Sequence, residues 1–310
     1  MNQNSKAFVA GHSGLVGSAL CHALSTNYTV VTKPRSELDL RTQSSVDHFF
    51  STEKIETVFL AAAHVGGIQA NIRSPAEFIY DNLAIATHVI HAAFEHGVKE
   101  LVYFGSSCMY PAGLSRPMEE ASLLTGLPEA TSLSYAVAKI AGLQMCSAYS
   151  KQYQRRYLSL IPSNLYGPHD NFDLLEGHVI PNLIRRFHEG KRRGQKNVTV
   201  WGSGAPQRDF LYIEDLVSAT LHILETYKSY EPINVSSGVS VSIRELASTI
   251  REITGYTGNI VWDTSKPEGA LQKTLDHKKT KELGWSPKFS MAEGLRRTYE
   301  WALSSGKLND

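Results

Sequence analysis

The sequence is short of cysteine, of long apolar runs and of net charge, and each shortage closes off a class of function. Its three cysteines, Cys21, Cys108 and Cys146, are scattered over 310 residues. They are too few and too far apart for a disulfide framework or a cysteine-bound metal, which leaves free thiols in a reducing compartment, the cytoplasm. The longest apolar stretch, 58–63, falls far short of the roughly 20 residues that span a bilayer. The opening Met1-Asn2-Gln3-Asn4-Ser5-Lys6 lacks the basic start and apolar run of a secretory signal. Lysine and arginine number 31 against 30 acidic residues, so no overall field draws nucleic acid or an anionic membrane. An anionic ligand has to be met by a local group of cations.

What is present suits a compact enzyme: 42% of residues are apolar and 20% charged. Five short apolar runs, 7–10, 28–32, 57–60, 101–104 and 157–161, read as strands without polar alternation. Strands of that kind are buried on both faces, so the fold class is α/β, a Rossmann-type doubly wound parallel sheet covered by helices. Helical patterns fall at 75–96, 134–154, 178–191, 213–227, 243–253 (with Ser242 as its cap) and 291–303. After Pro162 the rhythm changes, which divides the chain into a nucleotide-binding domain over 1–170, rejoined by about 211–236, and a smaller, mainly substrate-binding domain over 171–310.

Gly11-His12-Ser13-Gly14-Leu15-Val16-Gly17 follows the first strand and opens a helix. Glycines there permit a tight turn, and the free amides of the helix start attract a pyrophosphate. A protein that binds NAD usually carries an acid at the end of the second strand for the ribose hydroxyls. This chain offers Lys33 and Arg35 instead, cations suited to a 2'-phosphate, which favours NADP(H). Asp39 and Ala61, Ala62 and Ala63 fall on the adenine and ribose side.

Tyr135 and Lys139 stand one helical turn apart, so both project from one face. A lysine ammonium beside a phenol lowers the phenol's pKa, as a proton-passing tyrosine in a hydride-transfer enzyme requires. Gly105-Ser106-Ser107-Cys108 ends the fourth strand, where open parallel sheets place their ligand crevice. Ser106, with Ser107 ranked second, can hold a carbonyl beside the tyrosine. In this order the glycine turn, the strand-end serines and the Tyr/Lys pair are the set of a short-chain dehydrogenase/reductase.

Longer blocks narrow the resemblance. His64-Val65-Gly66-Gly67, Tyr135-Ala136-Val137-Ala138-Lys139, the run from Pro162 to Phe172, His178-Val179-Ile180-Pro181 and Trp201-Gly202-Ser203-Gly204 have the order and spacing of the GDP-L-fucose synthases, over nearly the whole chain. The resemblance implies conversion of GDP-4-keto-6-deoxy-D-mannose to GDP-L-fucose: two carbons beside a ketone are inverted, then the ketone is reduced with NADPH. Inversion needs one group to take a proton and another to return one to the opposite face. The resemblance gives those roles to Cys108, as base, and His178, as acid. A basic thiol implies a nearby cation or hydrogen bond. It further implies cofactor contacts at Pro162, Asn164, Leu165 and His178, and substrate contacts at Ser106, Ser107, Cys108, Asn164, Arg186, Trp201, Arg208 and Glu268. A homodimer through the helices at 75–96 and 134–154 is expected as well. Rival readings are a related enzyme of a GDP-4-keto-heptose or another deoxy sugar, and a non-catalytic NADP-binding sensor.

Overall fold

The computed structural model describes residues 5–309 except 115–116, 175 and 267–269. The first half runs β1 (Lys6–Ala10), α1 (Leu15–Leu24), β2 (Thr29–Val31), α2 (Gln43–Glu53), β3 (Thr57–Leu60), α3 (Ile68–Arg73), α4 (Pro75–Glu95), β4 (Glu100–Phe104), α5 (Leu133–Tyr153) and β5 (Arg156–Pro162). The second runs β6 (Asn164–Tyr166), α6 (Val179–Arg192), β7 (Asn197–Trp201), β8 (Gln207–Tyr212), α7 (Ile213–Thr226), β9 (Ile233–Val235), β10 (Ser240–Ser242), α8 (Ile243–Thr254), β11 (Asn259–Asp263), β12 (Gln272–Lys273), α9 (Lys278–Glu282) and α10 (Met291–Ser304).

All five expected strands lie in one parallel sheet of order β2-β1-β3-β4-β5-β9. The alternate residues of each strand feed different cores. Ala7 and Val9 join the apolar cluster that extends through α1, α6 and α7, whereas Phe8 and Ala10 join the one beneath α2, α4 and α5. Both faces are therefore apolar, which is why the sequence shows continuous runs. Strand order reverses direction between β1 and β3, and a crevice opens above their C-terminal ends.

The six expected helices form within two residues of their expected bounds. α8 shows why: Ser242 and Glu245 make a reciprocal capping box at its start, and Gly255 closes it in the left-handed region. The strands of the second half escaped the sequence reading because they are two to six residues long and, apart from β9 at the edge of the main sheet, pair in small separate sheets, β10-β8-β12 with β6 on β8, and β7 with β11. Among the described residues no helix is long and apolar enough to cross a membrane.

Asp209 on β8 fastens this second sheet to the first. Its carboxylate, 1% exposed, accepts from Ser163 Oγ at 3.2 Å, Ser237 Oγ at 2.7 Å, Ser237 N–H at 3.2 Å and Ser236 Oγ. Burial pushes its pKa up against the pull of these donors. Asp209→Ala strands those donors in an apolar interior, a loss of about 3 kcal/mol and roughly 5–10 °C of melting temperature. A thermal melt followed by circular dichroism checks it; an unchanged midpoint would mean the network contributes nothing net.

Candidate active site

A cleft of about 890 Å³ lies over the C-terminal ends of the parallel strands. At one end is the glycine turn. Gly11 sits at φ +84°, and a Cβ there would come within 2.7 Å of the Ala62 backbone; one on Gly17 would lie 2.1 Å from the Gly11 carbonyl. No side chain is tolerated where the turn, β3 and α1 converge. The N-cap of α1, Gly14, makes no side-chain cap, so the amides of the first turn face the cleft as an anion cradle.

Residues 11–17, Lys33, Arg35, Asp39 and Ala61, Ala62 and Ala63 all line this end. Lys33 and Arg35 are only loosely engaged, Lys33 Nζ at 3.5 Å from Glu37 and Arg35 Nε at 3.8 Å from Asp39. Asp39 is instead gripped by Arg41, which also reaches Asp81 at 3.0 Å. The Arg41 hydrogen bond leads the effects that hold Asp39 down to about 2. Lys33 and Arg35 thus keep their charge available to a ligand in the cleft.

At the other end β4 runs out into a short 3-10 turn, Ser107–Met109, capped by Ser106, whose hydroxyl accepts from the Cys108 N–H at 3.2 Å. α5 brings up Tyr135 and Lys139. Lys139 is buried, its Nζ donating to the Phe104 carbonyl at 2.8 Å. Desolvation lowers it to about 8. The Tyr135 ring packs edge-on to Phe78, which itself stacks on His64 at 4.4 Å.

Here the structure corrects the expectation about the phenol. Lys139 Nζ lies 5.9 Å from the centre of the Tyr135 ring and bonds elsewhere. Burial pushes Tyr135 above its ordinary pKa, the nearby Cys108 adds to the rise, and a hydrogen bond with Ser106 only partly opposes it. In this state Tyr135 is a protonated phenol, poised to donate.

Cys108 shows the reverse balance. Burial alone would raise the thiol, but the Lys273 ammonium and hydrogen bonds from Ser106, Lys273 and Ser132 outweigh it, and the thiol lies below its usual value. Lys273 Nζ is 3.3 Å from Cys108 Sγ. His178 is the N-cap of α6 and lines the same cleft, open to it on one side. Desolvation by the surrounding protein lowers its pKa, so its protonated form, once made, is a stronger acid than free imidazolium.

A family model described as "NAD dependent epimerase/dehydratase family" matches residues 7–236. The chain is 48% identical over 306 residues to GDP-L-fucose synthase 1 of Arabidopsis thaliana, covering 98% of this chain and 95% of that protein. It is 46% identical over 311 residues to the GDP-L-fucose synthase of Escherichia coli, covering 97% of each. The chain belongs to this family, in its GDP-L-fucose synthase group.

Solved structures carry the same architecture. A GDP-L-fucose synthetase of Naegleria fowleri, bound to NADP, superposes with a TM-score of 0.92 at 29% identity, covering 99% of this chain and 95% of that one. A GDP-6-OMe-4-keto-L-xylo-heptose reductase from C. jejuni does so at 0.93 and 34%, covering 98% and 99%.

Ser106, Ser107, Cys108, Tyr135, Lys139, Pro162, Asn164, Leu165 and His178 all border this same cleft. Arg186, Trp201 and Arg208 do not. Arg186 lies on α6, bonded to Asn182 at 2.6 Å and to the Thr199 carbonyl at 3.3 Å. Trp201 ends β7, 43% exposed, with Lys266 Nζ 5.8 Å from its ring. Arg208 lies on β8, where its NH1 donates to the Gln207 carbonyl. Glu268 lies outside the described residues.

The sequence reading missed two residues of the cleft region. Lys273 lies 165 residues beyond Cys108, and its only trace in the sequence was the requirement that a basic thiol have a cation. Asp170 is buried on the cleft wall, pushed up to about 7 by desolvation, with Oδ2 unpartnered among the described residues. It was visible within a family block, but nothing in the sequence told a wall carboxyl from a surface one.

Proposed function

We infer that the protein converts GDP-4-keto-6-deoxy-D-mannose to GDP-L-fucose by inversion at sugar carbons 3 and 5 and reduction at carbon 4. What supports this most is the meeting of a cation-paired thiol, an imidazole and a buried Tyr/Lys pair around one cleft. A simple ketone reductase has no use for the first two.

When bound along the glycine turn, NADPH supplies the hydride that reduces carbon 4. The α1 amides hold its pyrophosphate, Lys33 and Arg35 its 2'-phosphate, and Lys139 its ribose. Ser106 positions the ketone oxygen, and Tyr135 gives that oxygen a proton in the reduction. During inversion the same hydroxyls stabilise the enolate oxygen, while Cys108 removes a proton from the carbon beside the ketone and His178 returns one from the other face. Asn164, Arg186, Trp201, Arg208 and Glu268 take the GDP portion, in a substrate-binding domain drawn mainly from 171–310, against a nucleotide-binding domain of 1–170 and about 211–236. The protein works in the cytoplasm as a homodimer through α4 and α5, where Tyr80, Val137 and Tyr153 are exposed apolar residues.

The second reading, a GDP-4-keto-heptose reductase, draws on the C. jejuni structure at 34% identity, lower than the 46% and 48% to GDP-L-fucose synthases. The deciding experiment gives the protein GDP-4-keto-6-deoxy-D-mannose and NADPH and reads the product by NMR. Inverted carbons 3 and 5 with a new 4-hydroxyl are expected. NADPH binding without consumption would leave a sensor, and turnover of the heptose alone would move the enzyme to the second reading. Lys33→Ala with Arg35→Ala should weaken NADPH binding by roughly 10- to 100-fold while leaving NADH almost untouched, since only the former carries the phosphate. Fluorescence titration of both cofactors measures it; equal losses would place the 2'-phosphate elsewhere.

A further inference from the structure

Lys273 reaches Cys108 from the far end of the sequence, and the backbone that delivers it is fixed on both sides. β12 pairs with β8 in parallel, Lys273 opposite Arg208. On its other flank, the Met118 N–H donates to the Thr274 carbonyl at 2.9 Å, and the Asp276 N–H to the Met118 carbonyl at 3.0 Å. That Met118 carbonyl also accepts from buried Asn234 Nδ2 at 2.8 Å, and Asn234 Oδ1 accepts from Tyr110 OH at 2.6 Å. Tyr110 is two residues beyond Cys108. The circuit closes: thiol and ammonium are held by one hydrogen-bonded frame, so their 3.3 Å separation is built and does not rest on a flexible side chain alone.

We infer that Lys273 is the residue that holds Cys108 in the thiolate form its part in the inversion requires. This rests on the epimerase reading above and assigns a positioning residue within it. Among the described residues no carboxylate forms an ion pair with Lys273, and Cys108 Sγ at 3.3 Å is the side-chain partner its ammonium meets. The other groups facing Cys108 are Ser106 from its own turn, Ser132 from the turn before α5 and Tyr135 from α5. Neither serine contributes a full charge, and Tyr135 is neutral when protonated, so the ammonium is the one cation among them.

In the step itself the Cys108 thiolate forms an S–H bond with the proton of the carbon beside the ketone. The C–H pair moves into the ring carbon–carbon bond and the carbonyl pair onto oxygen, where Ser106 and Tyr135 hydroxyls meet it. Reprotonation from His178 on the opposite face restores the ketone with inverted carbon. Lys273 touches neither sugar nor cofactor in this scheme; it fixes the charge of the residue that does.

The test reads Cys108 without any sugar. Full-length wild type, Lys273→Gln and Lys273→Arg are alkylated with iodoacetamide across a pH series, and Cys108 modification is followed by peptide mass spectrometry, which separates it from Cys21 and Cys146. In Lys273→Gln the half-maximal rate should move up by about one pH unit or more, with modification at neutral pH slowed roughly tenfold. Lys273→Arg keeps the cation and should stay near wild type. Superimposable pH profiles for wild type and Lys273→Gln overturn the inference. Should Lys273→Gln fail to fold, wild-type Cys108 itself decides: a midpoint at or above that of an ordinary thiol overturns it, one well below supports it. A wrong substrate assignment would leave every one of these rates unchanged, so the two failures are distinguishable.

Discussion

Tyr135→Phe is expected to cut NADPH-dependent reduction by about 10³-fold while the sugar still takes up deuterium from solvent. The split follows from what the hydroxyl does in each half of the reaction. Reduction at carbon 4 leaves an alkoxide that has to be protonated, and in the proposed mechanism the Tyr135 phenol gives that oxygen its proton. Burial and the adjacent Cys108 keep it protonated through neutral pH. Enolate formation asks only for hydrogen bonds to the oxygen, and Ser106 remains to supply one. The ring itself is retained, so its edge contact with Phe78 and the packing of α5 are undisturbed and melting should not move appreciably. NADPH oxidation and NMR of the recovered sugar in deuterated water read the two halves separately. Reduction within tenfold of wild type would remove Tyr135 from proton transfer, and equal loss of exchange would mean that the enolate depends on the phenol as much as the alkoxide does.

That protonated phenol marks the boundary of what the sequence can tell. Tyr135 and Lys139 at one-turn spacing were legible because helical geometry is local, but the pKa of the phenol depends on burial and on a thiol brought from the turn after β4, neither of which has a local signature. The sheet was legible for a similar reason: each parallel strand is apolar on both faces, so a run such as 57–60 announces itself. The second half is assembled from strands as short as Gln272–Lys273, whose existence is decided by pairing partners and not by composition. Lys273 is the cost of that limit, a surface-type residue in the sequence that tertiary pairing with β8 and Met118 carries to the thiol. The same holds for the GDP side, where Arg186, Trp201 and Arg208 came from resemblance alone and the structure sets them outside the main cleft.

Cys108→Ser should abolish inversion and spare the fold. Serine keeps a small hydroxyl against Lys273, so no cation is left buried beside an apolar side chain, but its proton is far too tightly held for the group to act as a base at neutral pH. Deuterium exchange at the carbons flanking the ketone is then expected to fall by about 10³-fold. The reductive half, which uses Tyr135 and the ketone oxygen, continues, and the product retains the substrate's configuration at carbons 3 and 5. His178→Gln gives the complementary result: the Cys108 thiolate still removes a proton, and with no donor on the opposite face it returns one from its own side, so exchange persists without inversion. One variant loses exchange and inversion together and the other loses inversion alone, a contrast that general damage to the cleft would not produce. If instead His178→Gln loses exchange while Cys108→Ser retains it, the acceptor and donor are reversed, and the thiol paired with Lys273 is the group that gives the proton back.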